Sequence, residues 1–218
     1  MTLAIFDLDN TLLAGDSDHA WGEFVVDAGL VDADSHRRQN DQFYQDYLNG
    51  ELDVMRYQRF ALNPLVGRDK DILDAWHKAF MNTRVKPMLQ DKASALLDDH
   101  RKRGHTLMII TATNRFVTGP IAEILGIRHL IATEPAMEDG QYTGDVAGTP
   151  SFQGGKVIRL REWLRENNEN LDGAWFYSDS HNDLPLLELV DNPVAVDPDA
   201  RLEAFAREQG WPVISLRD

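Results

Sequence analysis

Ala4-Ile5-Phe6-Asp7-Leu8-Asp9-Asn10-Thr11-Leu12-Leu13 decides the fold, because an apolar run delivers two carboxylates to the point where a strand must end. Acids at i and i+2 of a strand point to the same side. Like charges that close raise each other's pKa, and burying them without a counter-charge is costly. A hard divalent cation with oxygen ligands is the usual remedy. Asp7 and Asp9 are therefore candidates for a metal-dependent site at the carboxyl end of a strand. The rival reading is a pair of acids that merely caps a strand-to-loop exit.

Working outward, three further stretches carry chemistry. Thr111 closes the apolar run Leu107-Met108-Ile109-Ile110. Lys156 follows Gly154-Gly155 and opens a predicted helix, where backbone can approach an anion closely; Arg159 and Arg161 are its rivals. Tyr177-Ser178-Asp179-Ser180-His181-Asn182-Asp183 follows the short run Ala174-Trp175-Phe176, with Asp179 and Asp183 at i and i+4. A helix N-cap run around Asp179 or Ser180 is compatible with the same residues.

These four motifs, in this order and over nearly the whole chain, resemble the haloacid dehalogenase (HAD) superfamily, whose first signature is Asp-x-Asp-x-Thr. The resemblance implies that Asp7 is a nucleophile and Asp9 a general acid/base. It also implies a Mg²⁺ ion held by Asp7, the backbone carbonyl of Asp9 and Asp179, with Asp183 behind it orienting bound water or Lys156. Thr111 then offers a hydroxyl to a phosphoryl oxygen, Lys156 neutralises charge, Asn182 touches the phosphate, and Ala112 is the small residue the pattern wants next to Thr111. Thr113 and Asn114 are bulkier and read as substrate contacts. Ser180 stands where the family pattern usually has glycine.

Periodicity agrees with this architecture. From Gly15 to Lys86, aromatics and aliphatics such as Trp21, Phe24 and Val25 recur at helical spacing. Helices are predicted around 35–49, 53–62 and 69–83, punctuated by Gly29, Gly50, Pro64 and Gly67. From Pro87 onward helices and strands alternate, with helices predicted over 88–103, 117–125, 155–168, 184–189 and 200–209. Strands are predicted over 105–111, 129–133, 173–178 and 193–196, with an edge strand at 213–216. Asp139-Gly140 predicts a small hairpin. The expected fold class is α/β: a Rossmann-like parallel sheet with helices on both faces, residues 1–14 and 87–218, plus an inserted all-helical cap, residues 15–86.

Composition narrows the function. The 218 residues are 43% hydrophobic and carry a formal charge of −14, which disfavours nucleic acid and anionic membrane surfaces. With no cysteine, disulfides, thiolate metal sites and cysteine nucleophiles are excluded. No secretory leader pattern opens the sequence and no apolar stretch approaches the ~18 to 20 residues of a membrane span. The expectation is a cytoplasmic enzyme, monomer or homodimer, acting on a small-molecule phosphate ester.

The lid after the first motif resembles the subfamily that contains phosphoserine phosphatases (type IB). There an acid about nine residues after the nucleophile holds the substrate amine, and a lid arginine holds its carboxylate. Asp16 matches the first by spacing, as Asp rather than Glu; Arg56, or Arg59, matches the second. Asp16 and Asp18 together favour a cationic group on the substrate. An amino-alcohol phosphate such as histidinol phosphate keeps the amine and needs no arginine. Two alternatives use the same residues: a phosphotransferase or mutase passing the phosphoryl group from Asp7 to a sugar hydroxyl, and a non-catalytic binding protein on a phosphatase fold.

Overall fold

The computed structural model describes residues 2–217. Among them, seven strands form one sheet: β1 (Leu3–Phe6), β2 (Thr106–Asn114), β3 (His129–Glu138), β4 (Gln141–Ala147), β5 (Trp175–Ser178), β6 (Asn192–Val196) and β7 (Val213–Ile214). Their order is β4-β3-β2-β1-β5-β6-β7. All pairings are parallel except β3 with β4. The chain builds outward from β1 to one side, then returns to build the other side. Ligands of open α/β sheets bind beyond the carboxyl ends of the strands at such a reversal.

Alternate residues of β1 feed two cores, as expected for a sheet covered on both faces. Ala4 and Phe6 join Ile109, Tyr177, Val194 and Val196 on one face. Leu3 and Ile5 join Met108, Ile110, Phe176 and Ala195 on the other. All four β1 residues are fully buried. Each large apolar side chain so placed contributes roughly 1.5 to 3 kcal/mol of burial free energy. Phe6 also stacks on Tyr177, with ring centroids 4.9 Å apart. The sheet therefore fixes where the strand ends point.

Between β1 and β2 the chain forms α1 (Ser17–Asp27), α2 (Ala33–Asn49), α3 (Val54–Leu62), α4 (Lys70–Phe80) and α5 (Asp91–Lys102). Asp16, Asp32 and Asp53 cap the first three, accepting hydrogen bonds from amides of the first turn. Part of the chain's acidity thus serves as helix caps. Trp21 of α1 packs edge-on to Phe80 and Phe116, which anchors the helical insertion to α6 (Arg115–Ile124) in the β2–β3 crossover. The remaining helices are α7 (Gly154–Asn167), α8 (Leu184–Leu187) and α9 (Ala200–Gln209). No helix among the described residues is long and apolar enough to cross a membrane.

The α/β class and the hairpin agree with the sequence reading; several boundaries move for local reasons. The helix expected from Met88 starts at Asp91, because Leu89 forms an antiparallel bridge to Leu13 and the Gln90 amide reaches the carbonyls of Thr11 and Leu12. β2 runs on to Asn114 after a register shift beyond Ile110. β3 continues past Thr133 into the antiparallel hairpin with β4. Asp139 (φ 49°) and Gly140 (φ 80°) make its turn, a position where only Gly, Asn and Asp are at ease.

Candidate active site

Asp7 leaves β1 with its amide donating to the Tyr177 carbonyl at 2.9 Å, which locks the strand exit between β2 and β5. Asp9 (ψ 134°) and Asn10 (φ 56°) then turn the chain sharply, and Thr11 returns to the sheet. The Thr11 hydroxyl donates to Asp179 Oδ1 and accepts from the Asp179 amide, both at 3.1 Å. The first and last motifs are thereby tied together.

Lys156 is 3% exposed and bridges two acids. Its Nζ lies 2.8 Å from Asp7 Oδ1 and 2.7 Å from Asp183 Oδ2. Asp183 accepts further from the Ser178 hydroxyl at 2.7 Å. The backbone brings Lys156 in through Gly155, where a Cβ would meet the Pro150 carbonyl oxygen at 2.1 Å; no other residue fits there. Burial alone would lower the Lys156 ammonium, but Asp183 and Asp7 outweigh it and hold it above its usual range. Burial pushes Asp7 up to about 7, against the pull of Lys156 and with the push of Asp183.

Asp9 is held by groups that spacing did not reveal. Its Oδ1 accepts from the Ser17 amide at 2.6 Å and the Ser17 hydroxyl at 2.5 Å, and its Oδ2 from the Thr113 hydroxyl at 2.7 Å. Burial and Asp16 raise it to about 6, while these donors oppose. A carboxyl titrating there is suited to both giving and taking a proton near neutrality. Ser17 comes from α1 and Thr113 from the end of β2, so neither announces itself near Asp9 in sequence.

Most of the other expected residues fall around one cavity, though Asp179 is not among its lining residues. Asp7, Asp9, Asp16, Thr111, Ala112, Lys156, Asn182 and Asp183 all line it. Thr111, 1% exposed, accepts from the Thr113 amide at 3.2 Å, which leaves its proton to donate. The Ala112 carbonyl accepts from the Gln58 amide of α3 and the Thr133 hydroxyl. Asn182 is oriented by Gln153, at 2.9 Å, and by the Tyr47 carbonyl of α2. Phe43, Tyr44, Tyr47, Tyr57 and Phe152 supply aromatic walls. Arg56 is not among the lining residues; it is exposed, with its guanidinium 5.5 Å above the Phe43 ring. Arg59 pairs with Asp145 at 2.8 Å, also on the surface. His181 is half-buried against Asp199 at 2.8 Å.

The donor set suits a hard cation. Burial, Asp7 and Asp183 together raise Asp179 well above the usual carboxylate range, a repulsion that a dication at an all-oxygen site relieves. Asp183 has turned its oxygen to Lys156, and Asp7, Asp179 and Asp183 do not form a close trio of ligand atoms. Two carboxylates, a backbone carbonyl and a substrate phosphate match what Mg²⁺ usually accepts. Among the described residues, His19, Glu23 and Asp41 are the three side chains that do offer ligand atoms within 4.8 Å of one another.

Residues 4–188 match the model of the haloacid dehalogenase-like hydrolases. The chain belongs to that family. This HAD hydrolase is 45% identical to the histidinol-phosphatase of Neisseria meningitidis serogroup C, with 99% of each chain covered. It superposes on a solved protein of unknown function from Bordetella pertussis Tohama I with a TM-score of 0.93, at 43% identity and full coverage of both chains. A phosphoserine phosphatase solved as an analogue of its phospho-aspartyl intermediate shares the fold at a TM-score of 0.71 and 17% identity, covering 99% of this chain and 93% of that one.

Proposed function

We propose that this phosphatase hydrolyses a small amine-bearing phosphate monoester, of the histidinol phosphate kind, through a covalent phosphate ester of Asp7. The observation that carries the reading is the buried pair Asp7–Lys156 at the cavity floor, with Asp9 pinned beside it by Ser17 and Thr113. One Asp7 oxygen attacks phosphorus, with the Lys156 ammonium beside the carboxylate. The phosphorus–oxygen bond to the alcohol breaks, and Asp9 gives its proton to the departing oxygen. Asp9 then takes a proton from the water that attacks the phospho-aspartate, which frees Asp7 and releases phosphate. Lys156, the Thr111 hydroxyl and the Asn182 amide balance the charge on the phosphoryl oxygens. Asp7, Asp179 and the Asp9 carbonyl would hold Mg²⁺, which supplies a further positive charge against those oxygens.

Residues 15–86 act in this reading as a cap over the core formed by 1–14 and 87–218, closing α1, α2 and α3 over the substrate to exclude water. The leaving-group end favours an amino alcohol over an amino acid. Among the described residues lining the cavity there is no arginine, so a substrate carboxylate would meet acids and aromatic rings. A flat ring and an amine meet the walls they need. The relative named histidinol-phosphatase, at 45% identity, supports the same choice.

Phosphate release from histidinol phosphate, phosphoserine and glycerol phosphate, with Mg²⁺ and then with chelator, tests this. The expected result is kcat/KM for histidinol phosphate at least about tenfold above phosphoserine, a difference of roughly 1.4 kcal/mol, and loss of turnover with chelator. Preference for phosphoserine, or histidinol released with its phosphoryl group on an added alcohol instead of as free phosphate, would overturn it.

A further inference from the structure

Asp18 is left without an explanation by the chemistry above. It is the second residue of α1, 7% exposed, and it lines the cavity. Its Oδ1 is fully buried and has no hydrogen-bond partner. Buried carboxylate oxygens are ordinarily paired, and an orphan facing a ligand cavity marks a place where a ligand supplies the donor. Asp16, the acid at the nine-residue spacing, is placed differently. Its Oδ1 accepts from the amides of Asp18 and His19 at 2.9 and 2.8 Å, so it works as the N-cap of α1.

We propose that Asp18, rather than Asp16, is the counter-ion for the ammonium group of the substrate's leaving alcohol. The inference rests on the reading of the site as a phosphomonoesterase and adds the residue that selects its substrate class. Three acids, Asp9, Asp16 and Asp18, crowd the leaving-group side of the cavity. The lysine that lines it, Lys156, is already committed to Asp7 and Asp183. Burial, then Asp16 and Asp9, push Asp18 well above the usual carboxylate range, while the hydroxyls of Tyr57 and Thr113 pull it back. A cation brought by the substrate cancels that repulsion.

Position also specifies the ligand. The Thr113 hydroxyl donates to Asp9 Oδ2 at 2.7 Å and also borders Asp18. An ammonium on Asp18 therefore lies on the same side of the cavity as Asp9, the acid that protonates the departing oxygen. That proximity suits an amine on the carbon next to the one that bears the ester oxygen. The class is a vicinal amino-alcohol phosphate, and esters without the amine bind against uncompensated acids.

The test compares histidinol phosphate with its deamino analogue, 3-(imidazol-4-yl)propyl phosphate, in the wild type, Asp18→Asn and Asp16→Asn. Asparagine keeps the shape at position 18 and keeps the cap at position 16. The ratio of kcat/KM for the two esters falls by about 100-fold in Asp18→Asn, the scale of a desolvated charge pair losing one partner, and by less than about a third of that in Asp16→Asn. A ratio that collapses in Asp16→Asn and persists in Asp18→Asn overturns the assignment. So does an equal loss on both esters in Asp18→Asn. Calorimetric binding of histidinol, which has no phosphate, reads the subsite without turnover, and Asp18→Ser serves if the asparagine variant does not fold. Binding at least tenfold weaker than wild type supports the subsite even where neither ester is hydrolysed; that second result would sink the phosphatase reading alone. Histidinol binding equally well to wild type and variant overturns the subsite.

Discussion

Replacing Lys156 by methionine removes the one ammonium from a buried triad and leaves its two acids facing each other. Lys156 Nζ stands 2.8 Å from Asp7 and 2.7 Å from Asp183, and all three residues are 4% exposed or less. Breaking a buried ion pair by deleting one partner costs about 3 to 5 kcal/mol. For a chain of this size each kcal/mol lowers Tm by roughly 2 to 4 °C, so the variant should melt about 6 to 20 °C below wild type at pH 8 without metal. The pH dependence gives a sharper test. Asp7 already sits near 7 with Lys156 in place, and losing its cation raises it further. A carboxyl whose folded pKa is raised contributes stability that is full below its unfolded pKa and lost as pH rises through the folded one. The deficit of Lys156→Met should therefore shrink on going from pH 8 to pH 5, while phosphatase activity stays lost at both. Thermal melts of both proteins in chelator at the two pH values make the measurement. A variant that melts within about 2 °C of wild type at pH 8, or whose deficit grows on acidification, refutes the reasoning.

Asp9→Asn should lower kcat by about 10²- to 10⁴-fold on alkyl phosphates but far less on p-nitrophenyl phosphate, whose leaving group needs no proton; an equal loss on both esters contradicts its role as acid. Gly155→Ala forces a methyl against the Pro150 carbonyl, so it should cost about 1 to 3 kcal/mol by urea unfolding and, by displacing Lys156, reduce turnover. Burial, helped by His105 and Arg103, holds the His100 imidazole down at about 4. Its contribution is present above the unfolded value of about 6.5 and is lost as pH falls through about 4, at most about 3 kcal/mol. His100→Gln should lose less stability than wild type between pH 7.5 and 4.5, and parallel pH profiles would count against this.

The elements that bring the candidate residues together were legible because each lies where a hydrophobic period ends. Asp7, Thr111 and Asp179 follow apolar strand runs, and Lys156 follows two glycines, so the sheet brings them to one side. The hairpin was legible from Asp139-Gly140 for the same local reason. What spacing cannot convey is which residue of a distant helix faces the site. Ser17 and Thr113 hold Asp9 through contacts across 8 and 104 residues. Thr113 reaches it because β2 shifts register after Ile110, which no alternation pattern signals. Arg56 matched an expected charge but lies over Phe43 outside the cavity, since helical periodicity fixes a face only relative to its own neighbours. Asp16 and Asp18 are equivalent as letters; only their hydrogen bonds distinguish a helix cap from a carboxylate with one unpartnered buried oxygen.

Whether Asp7 carries the phosphoryl group can be read directly. Enzyme mixed with histidinol phosphate and Mg²⁺, quenched in acid during turnover and digested, should yield the peptide containing Asp7 with one added phosphoryl group. The Asp7→Asn variant should show neither adduct nor activity. Steady hydrolysis with no adduct on that peptide, together with near-normal turnover by Asp7→Asn, would contradict the account.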